Sequence, residues 1–257
     1  MDKRFCFTVD DNIRVFKELT EGDYMSAFDH PYLAAYRRLH EKHGLCVQLN
    51  LFYECEGFTL ASMTDRYHDE FEKNADWLKM SFHSRLENVR PYEHSDYGEV
   101  YADCKAVEDE ILRFAGKKTL AKTTTIHFCL LTAGGIRAME ERGTQGLLGL
   151  YGNDQKPRLS YQTGEEDAIR IRAGKTVTDG KIAYAGIDIV LNLYSKDENL
   201  ALLSHLYGRS LIKVMIHEQY FYPDYPYYQA DFEEKLDAVF AALVGQGYKG
   251  TFFEKTL

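Results

Sequence analysis

The chain has 257 residues, 45% of them hydrophobic and 28% charged, with a net charge of −9 at neutral pH. That length admits one large domain with a substantial core. The acidic balance, with no long basic run, argues against nucleic acid and anionic membrane surfaces as partners. No window reaches the apolar length of a membrane span, and the opening MDKRFCFTVDDN lacks the apolar core of a secretory signal. A leader removed ahead of residue 1 is left open. Five scattered cysteines (Cys6, Cys46, Cys55, Cys104 and Cys129), odd in number and without a CxxC pair, read as reduced packing residues of a cytoplasmic protein.

In chain order, short β-rich runs alternate with longer amphipathic ones. RFCFTV predicts a buried strand that ends in two adjacent acids, Asp10 and Asp11. HPYLAAYRRLHEKHG predicts a helix stopped by Gly44, and LCVQLNLFY a strand with period-two alternation. TDRYHDEFEKNADWL predicts a helix with a Thr/Asp cap, followed by the short β-run KMSFH. SDYGEVYADCKAVEDEILRFAG predicts a long helix ending at Gly116, TTTIHF a strand, TAGGIRAMEERG a short helix and GLLGLYG another β-run. The segment near 153–179 is polar and rich in glycine and charge, and reads as an inserted excursion. IAYAGIDIVLNLY resumes the strands, KDENLALLSHLYG is helical, SLIKVMIHEQYF is a strand, and QADFEEKLDAVFAALVGQG is a final helix. TFFEKTL either closes the sheet or caps it.

This alternation predicts an α/β fold with a parallel sheet, spanning residues 1–257 as a single domain. No GxGxxG follows the first strand and no GxxxxGK[ST] occurs, which disfavours a doubly wound nucleotide-binding sheet. A (β/α) barrel, distorted and TIM-like, with seven or eight parallel strands is expected.

In such a barrel the C-terminal strand ends converge on one face, where active sites lie. Asp10 and Asp11 end the first β-run, His83 ends KMSFH, His127 ends TTTIH, and His217 with Glu218 ends IKVMIHE. Remote parts of the chain thus deliver acids and imidazoles to one mouth. Side-by-side carboxylates repel unless a cation or water screens them. His30, His40, His43, His68 and His205 fall in helical or loop contexts and read as exposed or locally hydrogen-bonded.

With these residues in place, the sequence resembles the polysaccharide deacetylase (NodB-homology) family. Thr8-Val9-Asp10-Asp11-Asn12 matches its T-F-D-D-G signature, His83-Ser84-Arg85-Leu86-Glu87 partly matches its H-[ST]-x-x-H, and Leu211 to His217 matches its last strand ending in a catalytic histidine. The resemblance implies a distorted (β/α) barrel and metal-dependent removal of acetyl groups from a carbohydrate or related small molecule. It implies Asp11 and His83 as metal ligands, Asp10 as the base that takes a proton from water, and His217 as the acid that protonates the leaving group. Zinc suits such ligands best, and cobalt, nickel or ferrous iron are also admitted.

Two departures from the family bear on the site. Glu87 stands where the pair's second histidine belongs, so the third ligand falls to Glu87, His94 or His127. His127 is preferred for its predicted strand end, and His94 is the more flexible alternative. Asn12 replaces the motif's glycine and is expected to tolerate a left-handed turn there.

Around the mouth, Glu218, Tyr220 and Arg90 are expected to contact substrate. The tyrosine-rich YFYPDYPYYQ either stacks on sugar rings or packs onto the rim. Two rivals remain at this level: a metal-independent glycoside hydrolase pairing Asp10 or Asp11 with Glu218, and a catalytically inactive glycan-binding barrel. The expected partner is a small-molecule or oligosaccharide substrate, with a homo-oligomer left open.

Overall fold

The computed structural model describes residues 2–87 and 92–257. Its strands are β1 (Arg4–Asn12), β2 (Val47–Cys55), β3 (Phe58–Thr59), β4 (Leu78–Leu86), β5 (Thr123–Thr124), β6 (Gly146–Gly149), β7 (Val177–Asp179), β8 (Ile182–Gly186), β9 (Ile189–Val190), β10 (Leu211–His217) and β11 (Lys249–Gly250). The helices are α1 (Arg14–Glu21), α2 (Pro31–His43), α3 (His68–Lys73), α4 (Tyr97–Phe114), α5 (Ala133–Glu141), α6 (Glu165–Arg172), α7 (Lys196–Ser204) and α8 (Phe232–Gly245).

Parallel pairing runs β10–β1–β2–β4 in one sheet and β5–β6–β8 in the other. Two seams join the sheets into a ring. At one, Met80 bridges Leu120 in parallel and the Ala121 N–H bonds the Met80 carbonyl at 2.8 Å. At the other, β9 pairs with β10, the Ile187 N–H bonds the Gly149 carbonyl and the Asp188 N–H bonds the Lys213 carbonyl, each at 2.8 Å. The stretch β8–β9 therefore leaves one sheet and enters the next. Seven strand positions circle the barrel, in the order β1, β2, β4, β5, β6, β8–β9 and β10. β3 and β7 are antiparallel appendages.

Local chemistry explains most of these elements. Pro31 at the first turn of α2 and Gly44 at φ 67° after its last turn give it the start and stop legible in the sequence. α4 opens on a reciprocal Asp96–Glu99 capping box. The polar segment 153–179 holds α6, the crossover helix that carries the chain from β6 to β8. It is thus largely part of the barrel's own strand–helix repeat. α1 escaped prediction because Ile13, its N-terminal flanking residue, offers no side-chain cap.

The barrel's lower end is plugged by the C-terminal segment. β11 pairs with the start of β1, and Phe253 packs against Cys6, Leu148 and Ala185. Outside, aromatic contacts tie β1 to α8, with Phe240 5.5 Å from Phe5 and 5.0 Å from Phe7. All five cysteines are free thiols. Among the described residues no helix is long and apolar enough to cross a membrane.

Candidate metal centre

Two irregularities in the parallel sheet build the site. Val9 pairs with Leu49, but Asn12 pairs with Leu51, so β1 carries one residue more than β2 across this interval. Leu51 pairs with Phe82 and Phe52 with Ser84, which leaves His83 as the extra residue of β4. A bulge re-aims side chains that strict alternation would send to opposite faces. It is how two consecutive acids reach one site. Asp11 adopts φ 65°, a left-handed conformation unfavourable for a residue with a Cβ. Asn12, expected to make that turn, instead secures it from the side. Its amide donates to the Val9 carbonyl at 2.6 Å and the Asn50 carbonyl at 3.2 Å, and its Oδ1 accepts from the Tyr32 hydroxyl at 2.7 Å.

Asp11, His83 and His127 converge. His83 Nε2 lies 3.0 Å from Asp11 Oδ1 and 3.1 Å from His127 Nδ1, and His127 Nδ1 lies 3.4 Å from Asp11 Oδ1. Among the described residues this is the group of acids, imidazoles and thiols whose donor atoms gather within 4.8 Å of one another. The donor set fits a divalent cation. Bonds of about 2.0–2.1 Å to a tetrahedral zinc put neighbouring ligand atoms roughly 3.3 Å apart, close to all three separations. His83 Nδ1 donates to the Thr125 carbonyl at 2.5 Å, a bond that orients the ring with Nε2 facing Asp11, where it can ligate a cation once deprotonated. His127 Nε2 is buried without a partner. Phe52 walls the pair, 5.3 Å from the His83 ring and 5.0 Å from that of His127.

Burial would raise the Asp11 carboxyl, but hydrogen bonds from His127 and His83 hold it well below the usual range. For His83, burial works downward, and the neighbouring Asp10 and Asp11 outweigh it and raise the imidazole. Asp10 is raised by burial, against the pull of His83 and His217.

Neither histidine sits where the sequence pattern put it. β4 continues three residues past His83 because it stays paired with β2. β5 is only two residues long, and His127 follows it in a short 3-10 turn. Phe128 and Cys129, next in the chain, are both left-handed, at φ 59° and 57°. This corner is held from outside by Arg158, which bonds the Phe128 carbonyl, and by the Tyr161 N–H, 3.1 Å from the Cys129 carbonyl.

The structure does not bring the remaining expected ligands into the cluster. His94 is exposed, ahead of α4. Glu87 lines a neighbouring cleft and is 3.6 Å from Cys55 Sγ. His217 faces Asp10 in register across β1 and β10, and its Nδ1 is 2.8 Å from Asn192 Oδ1. Tyr220 packs near His217, with ring centroids 6.2 Å apart. Arg90 lies outside the described residues.

Glu218 lines the cleft beside the centre, and its carboxyl is committed to the backbone. Expected to touch substrate, it is 1% exposed and both its oxygens are engaged. Oε2 accepts the N–H groups of Ile13 and Arg14 at 2.7 and 2.9 Å, and Oε1 accepts that of Val15 at 2.8 Å. It is the cap that α1 lacks locally, a carboxylate at the positive end of a helix. A sequence window cannot show a cap supplied from more than two hundred residues away.

Sequence reading missed Gln219, which donates from Nε2 to Asp11 Oδ2 at 2.8 Å, and Asn50, which donates to Asp10. Gln48 and Asn50, amides at alternate positions of an otherwise apolar strand, were the available signal. Beside the centre opens a cleft of about 560 Å³ whose walls include Asp11, Phe52, Gln219 and Tyr225. In the tyrosine-rich segment, Tyr220 and Tyr225 pack on one another, while Tyr227 is 68% exposed.

The fold is that of the distorted (β/α) barrels of CE4, NodB-type polysaccharide deacetylases. No family model matches the sequence, and no curated protein sequence matches it. Solved structures do. A CE4 family pseudoenzyme from Bacillus anthracis aligns with 10% identity and a TM-score of 0.54, over 99% of this chain and 65% of that one. A family 4 acetyl xylan esterase from Clostridium thermocellum, in complex with a cobalt ion, aligns with 10% identity and a TM-score of 0.55, over 98% and 89%. A 4-alpha-glucanotransferase from Thermococcus litoralis aligns with 12% identity and a TM-score of 0.62, over 99% of this chain and 40% of that one. The chain thus spans just under two thirds of the pseudoenzyme's length. At these identities the likeness is one of fold, and it is shared by proteins of different activity.

Proposed function

We propose that the protein is a metal-dependent hydrolase that removes an acyl group, acetyl in the first instance, from a carbohydrate or related small molecule. The observation that carries this reading is the convergence of Asp11, His83 and His127 beside a buried carboxylate, Asp10, with His217 opposite it on β10. A bound divalent ion would polarise the acyl carbonyl and lower the pKa of water. Asp10 would accept a proton from the attacking water as the water's oxygen bonds to the acyl carbon. His217, oriented by Asn192, gives a proton to the departing oxygen or nitrogen as the acyl bond breaks. Phe52 and the bulged backbone keep the imidazoles in place and limit water around them.

The glycosidase alternative loses its second carboxylate, since Glu218 is occupied by three backbone N–H groups. The inactive-barrel alternative is separated by experiment. Protein loaded with zinc or cobalt is assayed for metal stoichiometry, and for acetate released from acetylated xylan oligosaccharides and N-acetylglucosamine oligomers. The expected result is one ion per chain, with acetate release abolished by chelation and restored by metal. Stoichiometric metal without acetate release would favour the inactive barrel, and absence of both would overturn the reading.

A further inference from the structure

The interior of a parallel barrel is normally filled by branched apolar side chains. Here the layer beneath the metal centre is made of amides and hydroxyls. Gln48, Asn50, Ser81, Thr123 and Thr124 are each at most 3% exposed. They form one connected network across three strands. Thr123 Oγ1 donates to Gln48 Oε1 at 3.1 Å, and Gln48 Nε2 donates to the Thr123 carbonyl and to Asn50 Oδ1, both at 2.8 Å. Ser81 Oγ donates to Asn50 Oδ1 at 2.5 Å. The network ends at the site: Asn50 Nδ2 donates to Asp10 Oδ1 at 2.6 Å.

The donor and acceptor inventory leaves Asn50 one orientation. Its carbonyl oxygen receives hydrogens from Gln48 and Ser81, so its NH₂ must face Asp10. Rotating the amide would set oxygen against the Asp10 carboxylate and nitrogen against Gln48 Nε2, a group that can only donate. Asp10 Oδ1 is thereby held, and among the described residues no hydrogen bond engages Oδ2, the oxygen assigned to take a proton. Among the described residues no guanidinium or ammonium is hydrogen-bonded to Asp10. A neutral donor of this kind orients a carboxylate without an ion pair. A buried polar network stabilises no better than an apolar core and is demanding to satisfy. Orientation of Asp10 gives this layer a use.

We propose that Asn50 is a positioning residue, locked by Gln48 and Ser81, that aligns Asp10 for proton abstraction. This rests on the hydrolase reading above. 4-Nitrophenyl acetate is a suitable probe, because its leaving group needs no protonation and the assay isolates the step assigned to Asp10. In the cobalt-loaded protein, Asn50→Leu is expected to lower kcat roughly 10- to 100-fold, as misplacement of a reacting group does, with KM within about twofold of the parent. Its cobalt absorption spectrum and cobalt dissociation constant are expected to match the parent's, whereas Asp11→Ala loses both. A purely structural role would disturb spectrum, affinity and kcat together.

Ser81→Ala, which removes one of the two donors to Asn50 and leaves the amide itself, provides the test should Asn50→Leu fail to fold. Its kcat is expected to fall by a smaller factor, about 3- to 10-fold, again with KM unchanged. Parent-like kcat in the folded variant, or loss of the cobalt spectrum in step with kcat, would overturn the positioning role while leaving the hydrolase reading intact. Absence of both cobalt binding and ester hydrolysis in the parent protein would instead overturn the hydrolase reading, and this role with it.

Discussion

His83 Nε2 lies 3.0 Å from Asp11 Oδ1, although 72 residues separate the two in sequence. Each occupies a bulge of its strand, so the contact depends on two extra residues placed at the same height of the barrel. With His127 within reach of both, the three side chains are expected to act as one binding unit. Substitution of Asp11, His83 or His127 by alanine should each weaken zinc or cobalt binding by about 100-fold or more. Substitution of the exposed His94 or His205 should leave it unchanged. Competition with a chromophoric chelator measures all five, and a His94 variant as weak as the His83 variant would refute the ligand assignment.

Protons should compete with the metal. In the metal-free protein the acids around His83 raise its imidazole above the ordinary 6.5, and a metal ligand must give up that proton. Below the raised pKa the site is protonated, so affinity should drop roughly tenfold per pH unit as pH falls, and level off above it. Cobalt titrations between pH 6 and 8.5, with proton release followed in weak buffer, test this. Affinity independent of pH across that range would contradict it.

Removing the remote cap should destabilise α1 and the β1 corner it adjoins. Glu218→Ala strands three buried N–H groups, and a loss of about 3 kcal/mol in urea unfolding is expected. Burial pushes the Glu218 carboxyl up to about 7, against the pull of the Ile13, Val15 and Arg14 N–H groups. The sign follows from linkage. Between the ordinary glutamate value of 4.5 and about 7, the unfolded chain releases this proton while the folded chain keeps it. Its contribution to stability is therefore full at low pH and declines as pH rises through 7. Relative to Glu218→Gln, which cannot titrate, the parent should lose up to about 3 kcal/mol over that interval. A constant difference between the two would refute the shift.

Asn12→Gly restores the glycine of the deacetylase signature yet is expected to destabilise the protein by about 2 kcal/mol. The left-handed residue is Asp11, so glycine at position 12 relieves nothing. It removes the acceptor of the buried Tyr32 hydroxyl and both donors that tie Val9 to Asn50. Thermal unfolding of the metal-free variant, compared with the parent, measures this, and a stability gain would contradict it.

Strand–helix alternation, the glycine stop of α2 and the acids at the end of β1 were legible because each depends on neighbours within a few residues, whereas the expected Thr/Asp cap of α3 is absent, its flanking residue being Tyr67. Hydrophobic period, an N-terminal proline or a left-handed glycine acts locally, and a local pattern suffices to read it. The pairing of Asp11 with His83 and His127 was anticipated in kind, since strand ends of a parallel barrel share a face. The preference for His127 over His94 and Glu87 was drawn from an expected strand end, and the residue's actual place was not legible. That place depends on the short β5, and on the left-handed corner at Phe128 and Cys129 that Arg158 and Tyr161 brace from a distant segment.

The sequence by itself determined that this chain builds a parallel barrel with acids and imidazoles at one end, because residue type and period are properties of the chain. Only the tertiary structure decided the duties of those groups. Glu218 became a cap, Asn12 a brace and Asn50 the partner of Asp10, because hydrogen-bond partners and bulge registers are set by which strands lie side by side, and no window of sequence contains both members of such a pair.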